Sequence, residues 1–202
     1  MKASNFKKLM LAVALGAAFA APEPVLAEQT SITGAGTLTR TARQDFRVII
    51  PRFLQFRVGA AGGAISLVDC DLSASAGILG DGTDVACAGG DVGGGVSTVM
   101  VRSNAGAITL TATTLGALSN GVDTLPFSEI LTATSTANVP APGLPAAGGT
   151  SAGVAVVANA GNVTDRTATW TYTYDNTAIY ASGTYGGVAV NNGRVTYTAS
   201  SP

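Results

Sequence analysis

The chain has 202 residues, a length that fits one domain or two small ones. Charge is scarce, with 11% Asp, Glu, Lys and Arg and a formal net charge of −1, and there is no His. The absence of His excludes Ser-His-Asp and Cys-His catalytic machinery, and a pI of about 5.2 argues against a basic nucleic-acid-binding face. Two Cys cannot by themselves fill a zinc site. We therefore expect no nucleic-acid partner, no metal, no cofactor and no catalytic residues.

The N-terminus has the pattern of a secretory signal peptide. Lys2, Lys7 and Lys8 precede the apolar run 9–20, and Val25, Leu26 and Ala27 satisfy the small-residue rule for cleavage before Glu28. The apolar run is shorter than the roughly 20 residues that span a bilayer. We predict that residues 1–27 are cleaved, that the protein is secreted, and that the mature chain has no membrane span.

The next two segments alternate in polarity. Residues 28–43 alternate weakly, and one side of the alternation consists of Ile32, Gly34, Gly36 and Leu38. Residues 45–58 alternate strongly, with apolar side chains at Phe46, Val48, Ile50, Leu54, Phe56 and Val58. Because Pro51 interrupts this pattern without changing its phase, we predict one long strand with a kink or bulge near a sheet edge.

The middle of the chain contains short strands and turn signals. We predict strands over 64–68, 125–134 and 154–158, and a hairpin formed by 96–102 and 107–114 around the turn 103–106. Asn120–Gly121 is a strong tight-turn dipeptide. Residues 69–95 and the Pro-rich stretch 138–150 are expected to be irregular. Cys70 and Cys87 lie in the first of these regions, and in an oxidising compartment they form a disulfide, unless they are unrelated buried thiols.

The C-terminal third has the clearest strand pattern. In 166–174 the residues Ala168, Trp170, Tyr172 and Tyr174 alternate with Thr, which predicts a half-buried strand with one aromatic face. Residues 185–190 and 194–199 predict a terminal hairpin around 191–193. With seven to nine short strands, residues 44–202 are expected to form an all-β, antiparallel immunoglobulin-like β-sandwich. A closed barrel is the lesser option.

Three groups of residues suggest chemistry, each beside a plainer interpretation. Asp81, Asp84 and Asp91 offer oxygen ligands for calcium, but such residues are more often solvated turns. Asp69 and Asp71 resemble a carboxylate pair, but turn ends usually carry such residues. The aromatic face of 166–174 suits a carbohydrate platform, but such a face more often belongs to the core.

The segment 28–43 is the strongest functional feature. It is a candidate donor strand, since β-augmentation combines backbone hydrogen bonds with alternate side chains that fill pockets. Ile32, Gly34, Gly36 and Leu38 would then face into a neighbouring subunit. The acceptor groove would be lined by Phe46, Val48, Ile50, Val195 and Tyr197. The alternatives are a native first strand of the same domain and a disordered leader.

The C-terminal residues resemble a known family. Ala181-Ser182-Gly183-Thr184-Tyr185-Gly186-Gly187, followed by Gly193-Arg194-Val195-Thr196-Tyr197-Thr198, is similar to the closing hairpin of Gram-negative fibre subunits, the chaperone–usher pilins and spore-coat-U-like pilins. The resemblance implies an incomplete immunoglobulin-like fold that the N-terminal strand of a neighbouring subunit completes. It also implies a periplasmic chaperone, an outer-membrane assembly protein and an extracellular location.

These observations lead to one expected function. We expect a non-enzymatic structural subunit of a pilus or fibre, whose partners are copies of itself and which polymerises non-covalently by donor-strand exchange. The alternative is a monomeric exported adhesin or carbohydrate-binding module. An extracellular hydrolase is a third option, although no convergent set of Asp, Glu, Ser, Thr or Tyr residues supports it.

Overall fold

The computed structural model describes residues 30–62 and 64–202. The predicted signal peptide, residues 1–27, lies outside the described residues. The chain divides into two units, each with its own internal contacts, and the boundary lies between Ile49 and Ile50. The second unit therefore begins six residues after the predicted start of the sandwich at 44. We call residues 30–49 the extension and residues 50–202 the sandwich unit. Within the described ranges, no helix has the length and apolar character that a membrane span requires.

The extension contains no strand, and each of its residues is exposed. The chain bends at Ala35 and Gly36, and from residue 37 to residue 53 it runs without a bend, turn or strand. The predicted long strand over 45–58 is therefore wrong in its first part, because strand structure begins only at Leu54. No described strand pairs with residues 45–53, and Pro51 has no N–H to donate to a ladder.

The sandwich unit contains thirteen strands, most of them short. They are β1 Leu54–Val58, β2 Val68–Asp69, β3 Val85–Ala86, β4 Gly89–Gly90, β5 Val96–Ser103, β6 Ile108–Thr114, β7 Leu118–Ser119, β8 Thr124–Leu125, β9 Ile130–Thr134, β10 Gly149–Thr150, β11 Val154–Val156, β12 Thr164–Tyr174 and β13 Val195–Ser200. Three 3₁₀ segments, Ser73–Ile78, Gly93–Gly95 and Phe127–Glu129, complete the regular structure. The predicted strands over 64–68 and 125–134 are confirmed only in part, and the one over 154–158 shrinks to β11.

Two antiparallel sheets face each other, as the all-β sandwich prediction requires. In the first sheet, β5 lies between β1 and β12, and β12 also pairs with β3 and β9. In the second sheet, β6 pairs with β13 on one edge and with β10 and β11 on the other. The core between the sheets contains Val99 and Val101 from β5 and Ile108 and Leu110 from β6, all fully buried.

Strand β12 shows how the sequence pattern becomes structure. Ala168, Trp170, Tyr172 and Tyr174 are buried, while the Thr residues between them are more exposed, as the alternation predicts. Trp170 is fully buried, and its indole N–H donates to the carbonyl of Val139 at 3.2 Å. The aromatic face therefore belongs to the core and does not form an exposed carbohydrate platform.

The predicted hairpin around 103–106 is wrong. β5 and β6 do not pair with each other; β5 belongs to the first sheet and β6 to the second. β5 uses its two edges for β1 and β12, and β6 uses its edges for β13 and for β10 and β11, so no edge is left for a β5–β6 ladder. The turn between them therefore carries the chain across the core. We call it the arch, residues 104–107.

The predicted terminal hairpin is confirmed only in its second strand. β13 forms, but it pairs with β6, and residues 185–190 are not a strand. Gly186 and Gly187 have φ of 77° and 132°, which is incompatible with an extended ladder. The turn signals are correct, since Asn191 and Asn192 have positive φ and Asn120–Gly121 joins the paired strands β7 and β8.

The predicted disulfide between Cys70 and Cys87 is present, and no described cysteine is free. It closes a loop of 17 residues that contains one 3₁₀ segment and otherwise little regular structure. Cys87 is fully buried and belongs to the core cluster. The bond therefore ties an irregular loop to the centre of the sandwich.

Removing this bond should destabilise the sandwich. In the chain-entropy model a loop of this length contributes about 3 kcal/mol, because the bond restricts the unfolded chain. We expect the double variant Cys70→Ser/Cys87→Ser to lose about that much free energy of unfolding in a urea titration. Ser73→Ala, a substitution inside the same loop, is the control and should change it little. Equal free energies of unfolding for the double variant and the control would contradict a stabilising role of the disulfide.

Candidate functional site

One side of the sandwich has an unpaired strand edge in each sheet. Among the described strands, β1 pairs only with β5, and β13 pairs only with β6. The Arg52 guanidinium, just before β1, donates to the carbonyls of Ala105 in the arch at 3.1 Å and of Pro202 after β13 at 2.8 Å. The start of β1 and the end of β13 therefore lie on the same side, which we call the open side.

The opposite side of the sandwich is joined by the chain itself. β11 leads into β12, and the Arg166 guanidinium donates to the carbonyls of Val157 and Ala158 in their connection, at 2.9 and 3.0 Å. On this side, β11 and β12 are consecutive strands whose connection joins the two sheets. On the open side, no described strand or connection joins β1 to β13.

The inward-facing side chains of the open side are incompletely buried. Leu54 on β1 is 37% exposed although it lies opposite fully buried Ser103. On β13 the inward-facing residues are only half-buried; they are Val195, Tyr197 and Ala199. The corresponding residues in the middle of β6, Leu110 and Ala112, are fully buried. On the open side, β1 and β13 thus each carry incompletely buried apolar side chains beside backbone groups that no described strand pairs with.

Tyr197 fixes β13 against the facing sheet. Its ring centroid lies 5.1 Å from that of Trp170 with an interplanar angle of 56°, a tilted aromatic pair. Its hydroxyl lies 3.3 Å from that of Tyr172. Burial, followed by the negative charge of an ionised Tyr172, raises the pKa of Tyr197 well above its usual value. Burial also raises the pKa of Tyr172. The open edge is therefore held in place from within the core.

Asn104 holds the point where the chain enters the sandwich unit. Its side-chain oxygen accepts from the Phe53 N–H at 2.8 Å, and its side-chain amide donates to the Pro51 carbonyl at 2.8 Å. Sequence reasoning treated Asn104 only as a turn residue. The contact spans 51 residues of sequence, so no local pattern could have identified it.

The sequence-predicted interface residues fall into two groups. Val195 and Tyr197 lie on β13 at the open edge. Phe46, Val48 and Ile50 do not line a strand edge as expected; they are 84%, 81% and 74% exposed and belong to no strand. The candidate donor residues are also exposed and belong to no strand; they are Ile32, Gly34, Gly36 and Leu38. Their donation to a neighbour stays a prediction.

Asp71 and Asp81 act as turn residues, and Asp91 binds the backbone of a segment distant in sequence. The Asp81 carboxylate accepts from the Thr83 N–H at 2.8 Å, and the Asp91 carboxylate accepts from the Leu67 N–H at 3.0 Å. The Asp71 carboxylate accepts from the Ser73 N–H, which lowers its pKa. Within residues 30–62 and 64–202, no three Asp, Glu, Cys or His side chains form a group that could hold a metal.

We expect Asn104→Ala to loosen the start of β1. The substitution removes two hydrogen bonds, each contributing about 1 kcal/mol, so the free energy of unfolding should fall by about 1–2 kcal/mol. Hydrogen exchange of the Phe53 amide should accelerate. Asn162→Ala is the control, because Asn162 is exposed and makes no side-chain hydrogen bond within the described residues. Equal effects of the two substitutions would contradict the role of Asn104.

The Tyr172–Tyr197 pair predicts alkaline destabilisation. Both phenols have a higher pKa in the folded protein than the usual value of 10.0. Above that value the unfolded chain loses protons that the folded protein retains, so stability falls as the pH rises from 10 through the folded pKa. Tyr197→Phe should lose less free energy of unfolding than the wild type between about pH 8 and about pH 11. Trp170 fluorescence in urea titrations measures this, and parallel pH profiles would refute it.

Comparisons were made at the level of sequence and of structure. No family model, no curated protein and no solved structure matches the chain. The resemblance of residues 181–187 and 193–198 to fibre subunits stays a prediction. The function is therefore inferred from the geometry of the open side and from the extension.

Proposed function

We propose that the protein is a structural subunit of an extracellular fibre, in which the extension of one copy adds a strand to the open side of the next. One combination of features supports this proposal. The same chain carries an unpaired strand edge over a half-exposed core and a segment of 20 described residues, 30–49, whose side chains are exposed throughout. Adding the segment as a strand would pair the backbone groups of β13 and cover its apolar side chains.

Strand direction determines whether the extension can pair with β13 of its own chain. The chain enters the sandwich unit beside the arch, since Asn104 binds both Pro51 and Phe53. β13 runs towards that same end, because Ser200 pairs with Thr109 and Val195 with Thr114. An extension folded back onto its own β13 would therefore run parallel to β13.

Antiparallel pairing with β13 requires an extension from another copy. The extension must then enter the next copy from the end opposite its arch. Antiparallel ladders are slightly more stable per residue than parallel ones. When copies are arranged head to tail and do not close into a ring, one extension and one edge stay free at the two ends, so growth is open-ended. Strand direction therefore favours donation between copies over pairing within one chain.

The export route belongs to the proposal as well. The disulfide fits an oxidising compartment, and the predicted signal peptide would bring the chain there. An exposed edge such as that of β13 is an aggregation hazard before assembly. A periplasmic chaperone and an outer-membrane assembly protein, as the resemblance implies, would cover the open side and release it at the cell surface.

Removing the extension tests the proposal. A mature chain lacking residues 30–49 should form no filaments under negative-stain microscopy, because no strand is left to donate. A synthetic peptide of residues 30–49, present during refolding, should raise the melting temperature of this truncated protein by binding only the folded form. A scrambled peptide of the same composition is the control. Filaments that persist after the truncation, or equal effects of both peptides, would refute strand donation.

A further inference from the structure

We propose that the donated strand is residues 44–50, and that Phe46, Val48 and Ile50 of one copy enter the open side of the next copy. This inference rests on the proposed function and specifies which part of the chain performs it. The three side chains share one parity, and they are 84%, 81% and 74% exposed. Ile32 and Leu38, the apolar residues of the earlier segment, are 41% and 47% exposed. The most exposed large apolar side chains of residues 30–50 therefore begin at Phe46; they also include Ile49, which has the opposite parity and is 74% exposed.

The conformation of the extension favours the same segment. Residues 44–50 run without a bend or turn and include no Pro, so each can donate a backbone N–H to a ladder. The earlier segment is interrupted at Gly36, where φ is 107°, outside the extended region. Gly34 and Gly36 also have no side chains with which to cover an apolar edge.

The inward-facing residues of β13 provide matching positions. In an antiparallel ladder, residues directly opposite each other point to the same face. Placing Val48 opposite Tyr197 brings Phe46 opposite Ala199 and Ile50 opposite Val195. The largest donor side chain then faces the smallest acceptor side chain. The outward-facing residues of the same register pair exposed Arg47 with exposed Thr198.

The junction between copies becomes short in this arrangement. Ile50 is followed at once by Pro51, whose carbonyl is bound by Asn104, and by Arg52, whose guanidinium contacts Ala105 and Pro202. If residues 44–50 pair with the next copy, only residues 51–53 separate this donated strand from β1 of the donor's own sandwich unit. The next copy must lie directly against the arch end.

Cysteine cross-linking tests the register. Both native cysteines are in the disulfide, so introduced thiols can be followed alone. The double variant Arg47→Cys/Thr198→Cys should yield a ladder of covalent multimers on a non-reducing gel after mild oxidation. Each single variant cannot extend beyond a dimer. The matched double variant Thr37→Cys/Thr198→Cys, which places a thiol on the outward parity of the earlier segment, should give no ladder.

The outcomes separate this inference from the proposed function. A ladder from the Thr37 variant but not from the Arg47 variant would overturn the register while leaving strand donation intact. A cross-linked monomer of the Arg47 variant would show pairing within one chain and overturn both. Filaments that persist without residues 30–49 would refute strand donation itself.

A pair of substitutions in the extension gives a second measurement. Phe46→Ser should abolish or strongly reduce filaments in negative-stain images, whereas Ile32→Ser should leave them. Phe46 is 84% exposed, so its substitution should not impair folding of the single copy. Urea titrations of both variants check this directly. Equal filament yields from the two variants would overturn the assignment of Phe46.

Discussion

Every β-strand carries backbone donors and acceptors along two edges, and within the described residues β13 uses only one of them for pairing. Its inner edge is bound along its whole length by β6. The packing of Tyr197 against Trp170 and Tyr172 fixes the position of β13, and with it the position of the unpaired outer edge. A second strand could be added there without rearranging the core. Pairing this edge is the step on which the proposed assembly depends.

The contrast between the two sides of the sandwich follows from chain connectivity. On one side the short connection from β11 to β12 keeps the two sheets together, and Arg166 binds its carbonyls. On the other side, within the described residues, no connection joins β1 directly to β13. Arg52 bridges them only at the arch end. The two sides of the sandwich thus differ in whether consecutive strands join the two sheets.

Much of the fold was predictable because the information is local. The alternation in 166–174 predicted the buried face of β12, Asn120–Gly121 predicted a turn, and the presence of two cysteines predicted their bond. The errors concern partners that are distant in sequence. Alternation shows that β5 and β6 each bury one face, but it does not show that they belong to different sheets. Similarly, nothing local to Pro51 indicates that Asn104 binds its carbonyl.

The candidate site was harder to predict than the fold. Val195 and Tyr197 were placed on the correct strand by their alternation. Phe46, Val48 and Ile50 were assigned to a groove because their pattern is continuous in phase with β1, yet the structure leaves them outside every strand. An apolar alternation has the same appearance whether the strand completes its own domain or that of another copy. Sequence periodicity therefore cannot decide between donor and acceptor.

The entry point beside the arch has a mechanical consequence. If a neighbouring copy holds the extension, tension on a fibre reaches each sandwich through Pro51 and pulls β1 along its own axis. β1 is joined to β5 over five residue pairs, from Leu54 opposite Ser103 to Val58 opposite Val99. The hydrogen bonds of an antiparallel ladder lie perpendicular to the strands, so such a pull shears all the rungs at once. A subunit loaded in this way resists stretching far better than one whose strands are peeled apart one rung at a time.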